Sequence, residues 1–346
     1  MKYAFHIGID ISKKTLDFTV LRKGEWLLHS TLENSAVAIR KWLKEVMTLY
    51  RAGGKRSIFC MEHTGPYTDI LLDVLTKRKS HIWLESSLQI KRSLGIQRGK
   101  NDKIDSRRIA EYANSFEKKI KLWQPPRKEL VELRMLRVMR QRLKSALLEM
   151  QAPWKEIALP SQRKIAQSIY QNCTVSLSAL SDDFKKIDLK IMDVIKNDQH
   201  LYSLFKTITS VVGVGKTIAV ELLIVTNEFK SFTSAKKFAC YCAIAPFEYT
   251  SGTSVRSKAK VSKIGDRNMK SLLHLASLSA IKQEGEMRDY YKRKISTGKS
   301  KMSVINAVRN KIIHRVFACV QQNTLYDRKG KPIQQEASES VYDAKN

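Results

Sequence analysis

The segment YAFHIGID, residues 3–10, is a short apolar run that ends on Asp10. Apolar runs of this length, bounded by turn residues, predict a buried β-strand. Two further strand-like runs follow at residues 16–21 and 26–31, and Lys23-Gly24 between them is a turn signal. The start of the chain therefore predicts a meander of three strands whose first strand ends on an acid.

Helices and strands alternate after this meander. Residues 36–50 carry apolar side chains at helical spacing, and the apolar run 57–61 is followed directly by Glu62. Similar patterns predict a helix at 67–77, a strand at 81–84 and a helix at 87–94. Three antiparallel strands followed by strand–helix alternation is the order of a ribonuclease-H-like sheet, so residues 1–125 are expected to form an α/β domain of this kind.

The rest of the chain is predicted to be mainly helical. Pro125-Pro126 breaks the N-terminal pattern, and residues 126–200 predict a helical, coiled-coil-like spacer. Residues 201–322 predict a mainly α C-terminal domain with glycine-rich turns. Residues 323–346 are polar with few apolar anchors, which predicts a disordered tail.

The charge of the chain is strongly basic. Lys and Arg number 63 against 33 Asp and Glu, a formal net charge of +30. Such an excess points to a polyanionic partner, either nucleic acid or an acidic membrane surface. The basic residues are spread over the whole length of the chain and do not form one cluster beside an apolar segment. This distribution favours nucleic acid as the partner over a membrane surface.

The cysteines and the apolar segments indicate a reducing compartment. The five cysteines are odd in number and scattered, which argues against a disulfide framework, and no CxxC pair suggests a zinc site. The sequence shows neither a leader-like apolar segment at its start nor a long uncharged apolar run. A cytoplasmic protein is expected.

Acidic residues stand at points where a sheet of this order would bring them together. Asp10 and Glu62 end two buried strands, and Asp102 and Asp105 lie three apart at the start of a predicted helix, on one face of a turn. Clustered carboxylates repel one another unless a divalent cation such as Mg²⁺ binds between them. Alternatively, Asp102 is a helix N-cap and Asp10 a turn residue. The set of four in this order favours a metal site for phosphoryl transfer.

Basic residues surround the last acidic pair, as a site for a phosphodiester backbone requires. They are Arg98, Lys100, Lys103, Arg107 and Arg108.

A glycine-rich turn lies at residues 212–217. A Walker phosphate loop would need glycine where Ser210 stands, which argues against an NTPase. The pattern fits a helix-hairpin-helix-like turn better, with Gly213, Gly215 and Lys216 at a helix N-terminus that can bind a DNA phosphate. A plain tight turn between packed helices is the alternative.

A hydroxyl-rich loop at residues 249–258 is followed by several basic residues. A Ser or Thr hydroxyl beside these cations could attack a phosphodiester, but a solvated loop that only binds backbone is the simpler interpretation. His274 is the nearest histidine, and a lone histidine on an apolar helix face is more often part of the core. The bases that could contact nucleic acid here are Arg256, Lys258, Lys260, Lys263 and Arg267.

At this point the sequence resembles a known family, the IS110-type (IS110/IS1111) insertion-sequence transposases, which also include a DNA invertase of pilin genes. The resemblance covers most of the chain. It rests on GIDISK (8–13), MEHTGPY (61–67), KNDKIDSR (100–107), VGVG (212–215), residues 238–246, YTSGTSVR (249–256) and SKIG (262–265).

The resemblance implies a RuvC-like N-terminal domain with an Asp-Glu-Asp-Asp site for Mg²⁺, and Asp10, Glu62, Asp102 and Asp105 occupy those positions. It also implies a Ser nucleophile in the C-terminal domain. The nucleophile precedes Gly in a Ser-Gly-x-Ser motif, which places it on Ser251 and not on Ser254. Thr253 departs from the usual pattern by adding a hydroxyl, and it leaves Ser251 in place.

The same resemblance implies the partners. Family members pair a structured bridge RNA, a guide encoded by the element, with target and donor double-stranded DNA. They assemble as homodimers and then homotetramers, and a composite site joins the acidic domain of one subunit to the Ser domain of another. The sequence alone leaves open whether the two sites act in cis or in trans, which group is the catalytic base, and whether the outcome is transposition or inversion.

Two other functions stay open at this stage. One is a RuvC-like, metal-dependent junction nuclease in which Ser251 only binds, and beside it stands a DNA invertase that works without an RNA guide. The other is a non-enzymatic nucleic-acid-binding protein in which the acids are structural.

Overall fold

The structure is a computed structural model that describes residues 2–52, 54–62, 65–93, 95, 101–156, 159–251, 255–327 and 332–334. For residues 54, 153–156, 160, 249–251, 255–258 and 332–334 it describes the backbone only. The chain divides into two compact units, residues 1–125 and 126–346.

The N-terminal unit is built on a five-stranded sheet. The strands are β1 (Phe5–Ile11), β2 (Thr15–Arg22), β3 (Glu25–Glu33), β4 (Ser57–Glu62) and β5 (His81–Glu85). Their order is β3-β2-β1-β4-β5, in which β1, β2 and β3 are antiparallel neighbours and β4 and β5 run parallel to β1. This order confirms the ribonuclease-H-like α/β domain predicted from the sequence.

Side chains alternate between the two faces of the sheet along each strand. Buried apolar side chains lie on both faces, and helices cover each of them. Ile7, Ile9 and Phe18 pack on one face in the same core as Ile39 and Leu43 of the first helix. The opposite face packs against the fourth helix. The helices are α1 (Ala36–Leu49), α2 (Asp69–Lys77), α3 (Ser87–Ser93) and α4 (Asp102–Ser115).

The helix α4 lies directly on β1 at Gly8. A Cβ atom added to Gly8 would stand 2.2 Å from both the Ser106 carbonyl oxygen and the Ala110 nitrogen, so only glycine allows this approach. The Thr19 hydroxyl on β2 and the Ser106 hydroxyl are 2.8 Å apart in the same buried contact. These two contacts fix the first turn of α4 against the sheet near the end of β1.

The start of α4 differs from the expectation. Asp102 is already its first residue, and the N-cap is Asn101, whose side chain accepts a hydrogen bond from the Ile104 nitrogen at 2.7 Å. The alternative that Asp102 is the cap is therefore wrong, and its carboxylate does not fill that structural role.

The second unit is mainly helical. Two small two-stranded sheets interrupt the helices. Its elements are α5 (Lys128–Glu156), α6 (Pro160–Asn172), α7 (Thr174–Lys196), α8 (Gln199–Ser210), α9 (Lys216–Thr226), α10 (Ala235–Tyr241), β6 (Pro246–Ser251), β7 (Val255–Val261), α11 (Arg267–Lys282), α12 (Glu286–Ser296), α13 (Lys301–Gln322), β8 (Thr324–Tyr326) and β9 (Pro332–Gln334).

The expected spacer is continuous with the helical core. The helices α5 and α7 pack against each other, and Leu130, Leu133 and Ile195 belong to the same buried cluster as residues of α9 and α13. Arg127, just before α5, pairs with Asp198 and with the fully buried Glu228 carboxylate. The spacer is thus anchored in the same compact unit as the C-terminal helices.

The hydroxyl-rich segment also differs from the expected loop, because its backbone forms the hairpin β6–β7. The prediction of a disordered tail from residue 323 is wrong for residues 324–326. They form β8, which pairs with β9, and Tyr326 is buried with its hydroxyl donating to Glu286 at 3.1 Å. The tail beyond residue 334 lies outside the described residues.

Across the described ranges, the structure contains no helix that is both long and apolar enough to cross a membrane.

Candidate active site and nucleic-acid contacts

A cleft of about 280 Å³ opens at the end of β1 and β4, beside the first turn of α4. All the predicted acidic residues line it: Asp10, Glu62, Asp102 and Asp105. The remaining walls include Ser12, Lys91 and Arg108. The structure therefore brings the acids of the N-terminal unit together, although they are up to 95 residues apart in sequence.

The sheet and α4 explain this convergence. The strands β1 and β4 are parallel neighbours in which Ile9 pairs with Met61, so Asp10 and Glu62 follow one residue later at the same edge of the sheet. Asp102 and Asp105 lie in the first turn of α4, on the face that Gly8 admits to the sheet. Strand ends supply two carboxylates and a helix start supplies the other two.

The electrostatics of the cleft are those of crowded acids. The pKa of Asp10 rises to about 6, mainly because the carboxyl is buried and also because Asp105, Asp102 and Glu62 are negative. A hydrogen bond from the Ile11 nitrogen to the Asp10 carboxylate at 3.0 Å opposes this rise. The cleft thus favours either protonation or a bound cation.

Two cations of the chain approach the acids. Arg108 donates to the Asp105 carboxylate at 2.9 Å across one turn of α4, and both side chains are largely buried. Lys91 of α3 also lines the cleft. These cations offset part of the negative charge and give a phosphate oxygen two possible donors.

The acids fit a divalent cation by their chemistry. Carboxylate oxygens are the ligands that Mg²⁺ prefers. Burial first, and next the charges of the neighbouring acids, raise the pKa of Asp10 in the direction that a bound cation would oppose. Within the described ranges, no three acidic, His or Cys side chains are arranged closely enough to enclose a metal ion.

The predicted basic flank is placed only in part. Lys103 is exposed on α4, while Arg107 lies over the Trp26 ring and pairs with Glu111 at 3.1 Å. Arg98 and Lys100 lie outside the described residues.

The glycine turn joins α8 to α9, two helices, so the strand that precedes a Walker loop is not present there. Gly213 has a φ of +87°, and a Cβ at this position would stand 2.3 Å from the Ala276 carbonyl oxygen, which is the geometry of a tight turn between packed helices. Gly215 caps α9 with open space around it, and Lys216 is exposed. The N-terminal end of α9 is thus reachable by a phosphate.

Ser251 is the last residue of β6. The side chains of Ser251, Arg256 and Lys258, and the whole of residues 252–254, lie outside the described part of the chain. Beyond the hairpin, Lys260, Lys263 and Arg267 are exposed and follow one another toward α11.

Sequence reasoning missed two residues of the acidic cleft. Ser12 stands two residues after Asp10, where the Thr15 nitrogen donates to its hydroxyl oxygen at 3.0 Å in the turn before β2. A strand-end acid followed by a hydroxyl two residues on was the available signal. Lys91 lines the cleft because of how α3 packs in the fold, and no sequence pattern indicated this position.

Two family models match the chain. The model described as "Transposase IS116/IS110/IS902 family" matches residues 205–292, and a DEDD-type IS110 model described as "Transposase" matches residues 7–152. Each falls largely within one of the two compact units, and the acidic cleft lies within the second match.

Curated relatives match over nearly the whole length. The pilin gene-inverting protein of Moraxella lacunata is 26% identical over 330 residues, which cover 94% of this chain and 98% of that protein. The protein of the same name from Moraxella bovis is 25% identical over 336 residues, with the same coverage. Among solved structures, T. thermophilus RuvC in complex with a Holliday junction substrate is 12% identical with a TM-score of 0.28, and it covers 35% of this chain and 100% of that one.

Proposed function

The chain belongs to the IS110 family of transposases and is a DNA transposase or recombinase, and we propose that it cuts and rejoins DNA for an insertion sequence. The proposed reaction uses a metal-binding acidic site together with a serine nucleophile. The acidic cleft binds Mg²⁺, Ser251 is the nucleophile, and an element-encoded bridge RNA guides the reaction to its DNA.

One observation carries this proposal: Asp10, Glu62, Asp102 and Asp105, from three separate elements, line one cleft. A structural role would pair each acid with a cation or make it a helix cap. Within the described ranges only Asp105 pairs with a cation, Arg108, and the cap of α4 is Asn101 and not one of the acids. The unmet negative charge supports a role in binding cations and phosphate.

Bound Mg²⁺ would supply charge stabilisation for the phosphate oxygens at the cutting step. The four carboxylates would hold it. Lys91 and Arg108, on the walls of the cleft, would position the phosphodiester backbone by charge-assisted hydrogen bonds.

The covalent step assigned to Ser251 exchanges one phosphoester for another. A bond forms from its hydroxyl oxygen to phosphorus as the bond to the departing DNA end breaks, and the serine proton is transferred to the departing oxygen. Attack by a new DNA end then releases the serine. No net hydrolysis occurs, which is what a strand-exchange enzyme needs.

The partners follow from charge and family. A net charge of +30 suits both donor and target DNA together with a guide RNA. Base pairing with the RNA would then select the sequence, and the protein would hold backbones. The proposed assembly is a homodimer that pairs into a homotetramer, in which the acids of one subunit serve Ser251 of another.

The alternative is a junction nuclease or a pilin-gene-type invertase without a guide, which the full-length similarity to the two inverting proteins favours. A metal-only nuclease would hydrolyse DNA and would never form a protein–DNA bond. An invertase would retain the covalent step and would recombine without RNA.

Trapping of a protein–DNA adduct tests the serine step. Wild-type protein, incubated with Mg²⁺ and end-labelled DNA carrying the element junction, should yield a denaturation-resistant adduct, and Ser251→Ala should yield none. Thr253→Ala and Ser254→Ala are matched controls that remove neighbouring hydroxyls and should retain the adduct. An adduct of normal yield in Ser251→Ala would overturn the assignment.

Recombination with and without RNA tests the guide. Protein freed of nucleic acid should recombine its DNA only after transcripts of the element's flanking segment are added back. Full recombination without RNA would favour the invertase.

A further inference from the structure

A buried arginine in the C-terminal unit has no counter-charge among the described residues. Arg309 of α13 is 6% exposed and forms no ion pair there, and its Nε atom is buried without a hydrogen-bond partner. Arginine stays protonated in proteins, so this charge cannot be removed by losing a proton. Burial of an unpaired charge is unfavourable, so Arg309 destabilises the free protein.

Other buried charges of the same unit are paired. The Glu228 carboxylate lies against Arg127 and Lys230, and the Glu221 carboxylate accepts from Asn268 at 2.9 Å and pairs with Arg137 at 3.3 Å. The unit therefore satisfies its buried carboxylates from within. The missing partner of Arg309 is an anion.

The single hydrogen bond that the described residues give to this guanidinium joins it to His274 of α11. The Arg309 Nη2 atom lies 2.6 Å from the His274 Nδ1 atom. A guanidinium only donates, so Nδ1 must accept, and the imidazole is neutral with its proton on Nε2. Burial, and next the charge of Arg309, lower the pKa of His274, in agreement with this form.

The Nε2 atom of His274 therefore carries the proton and can only donate a hydrogen bond. Its side chain is partly exposed, whereas Arg309 is buried. The Nε2–H group is ready to donate to an acceptor, and the positive charge of Arg309 makes an anionic acceptor favourable. This assigns His274 a role opposite to that of a catalytic base.

The surroundings of this pair are basic and lead to the hairpin. Arg267 and Lys270 precede His274 by seven and four residues on α11, so all three lie along one helical stripe. One turn before Arg309, Asn306 donates to the Ile244 carbonyl oxygen at 2.9 Å. That contact ties the same face of α13 to the segment leading into β6, the strand that ends at Ser251.

We propose that Arg309 and His274 form a binding site for a phosphodiester group of the DNA backbone. The phosphate provides the counter-charge that Arg309 lacks and accepts from the His274 Nε2–H. The site goes beyond the proposed acidic and serine chemistry, and it rests on that function only in taking DNA as the anion.

The test compares two arginines of one helix. The Arg315 Nη2 atom on α13 donates to both carboxylate oxygens of Glu286, at 2.8 and 3.0 Å, so Arg315 needs no external anion. Full-length Arg309→Met and Arg315→Met proteins would be compared with wild type in thermal unfolding and in binding to a short DNA duplex over a series of salt concentrations.

The two variants should behave in opposite ways. Arg309→Met should unfold at the same or a higher temperature, because an apolar side chain replaces an unpaired buried charge. It should bind DNA roughly tenfold more weakly, with a salt dependence reduced by about 0.9 in the log–log slope, the value for one phosphate contact. Arg315→Met should lower the unfolding temperature and leave the slope unchanged.

Substitutions at His274 test the donor while the Arg309 side chain itself is kept. His274→Gln keeps an N–H group near the Nε2 position and should bind DNA close to wild type, whereas His274→Phe should bind several-fold more weakly. Equal binding by the two variants would overturn the role of the imidazole.

The outcomes separate this inference from the proposed function. Lower stability in Arg309→Met together with an unchanged salt slope would show that an acid of the chain itself is the partner, and the inference would fail. Weaker binding to a matched RNA strand alone, with duplex DNA unaffected, would also overturn it. Wild-type protein that binds no DNA duplex at all would instead contradict the proposed function.

Discussion

The Thr19 hydroxyl of β2 and the Ser106 hydroxyl of α4 lie 2.8 Å apart in a fully buried contact. Ser106 directly follows Asp105, so this hydrogen bond fixes the turn of α4 that carries two of the four acids. The bare backbone of Gly8 on β1 admits the helix at the same place. The geometry of the acidic cleft therefore depends on how closely α4 approaches the sheet.

The first prediction concerns this approach. Gly8→Ala places a methyl group against backbone atoms of Ser106 and Ala110 that cannot rotate away, so α4 must shift. We expect a loss of about 1–3 kcal/mol in the free energy of unfolding and a loss of DNA cleavage. Urea unfolding and a cleavage assay measure the two effects. Gly215→Ala is the control for the unfolding measurement alone, since its added methyl meets open space and should cost less stability than Gly8→Ala. Wild-type cleavage by Gly8→Ala would show that the position of α4 is not critical.

The second prediction concerns the sharing of the acidic and serine sites between subunits. Asp10→Asn and Ser251→Ala should each be inactive alone. Mixed before assembly, they should recover part of the strand exchange, because some assemblies then pair an intact acidic cleft with an intact serine of another subunit. Recovery is measured as recombined DNA against the ratio of the two proteins. No recovery at any ratio would place both sites in one subunit.

The third prediction concerns the anchor of the helical spacer. A hydrogen bond from Arg127 is the largest of the effects that lower the pKa of Asp198 below its ordinary value of 3.8. A lowered pKa means that the stabilisation is fully present above pH 3.8 and is lost as the pH falls through the folded-state value. Asp198→Asn should therefore be less stable than wild type at neutral pH, and the difference should shrink in strong acid.

Urea unfolding over a pH series checks this trend. Asp73→Asn is the matched control, because its ion pair with Lys77 is on an exposed helix surface and should contribute little at any pH. A difference between Asp198→Asn and wild type that stays constant down to strong acid would contradict the role assigned to Arg127.

Much of the N-terminal unit could be predicted from the sequence because its signals are local. Apolar runs that end on Asp10 and Glu62, and helical spacing in residues 36–50, mark elements that the structure confirms within a few residues. The strand order then follows from few topological choices. The convergence of the acids was predictable because parallel neighbouring strands end at one edge of the sheet.

The hairpin β6–β7 could not be predicted in the same way. Its sequence is rich in Ser, Thr and Gly, which favour turns, and Lys and Arg interrupt the apolar alternation of β7. Pairing with the other strand overrides these local preferences. The first residue of α4 was missed for a related reason: Asn101 and Asp102 are both good N-caps, and only the structure shows which side chain accepts the bond.

The pair formed by Arg309 and His274 had no sequence signal either. The two residues are 35 positions apart on different helices, and only the packing of α11 against α13 brings them together. A basic residue on a helix is normally exposed, so its burial without an acid is visible only in three dimensions.

We propose that the acidic cleft cuts DNA with bound Mg²⁺. The most direct test is the Mg²⁺-dependent cleavage of a labelled DNA junction by Asp10→Asn and Asp105→Asn, measured beside their binding to the same DNA. Asp73→Asn, which removes a carboxylate outside the cleft, is the control. Both cleft variants should bind DNA as tightly as wild type or more tightly, and neither should cut it. Cleavage at the wild-type rate by either variant would contradict a cutting role for the acidic cleft.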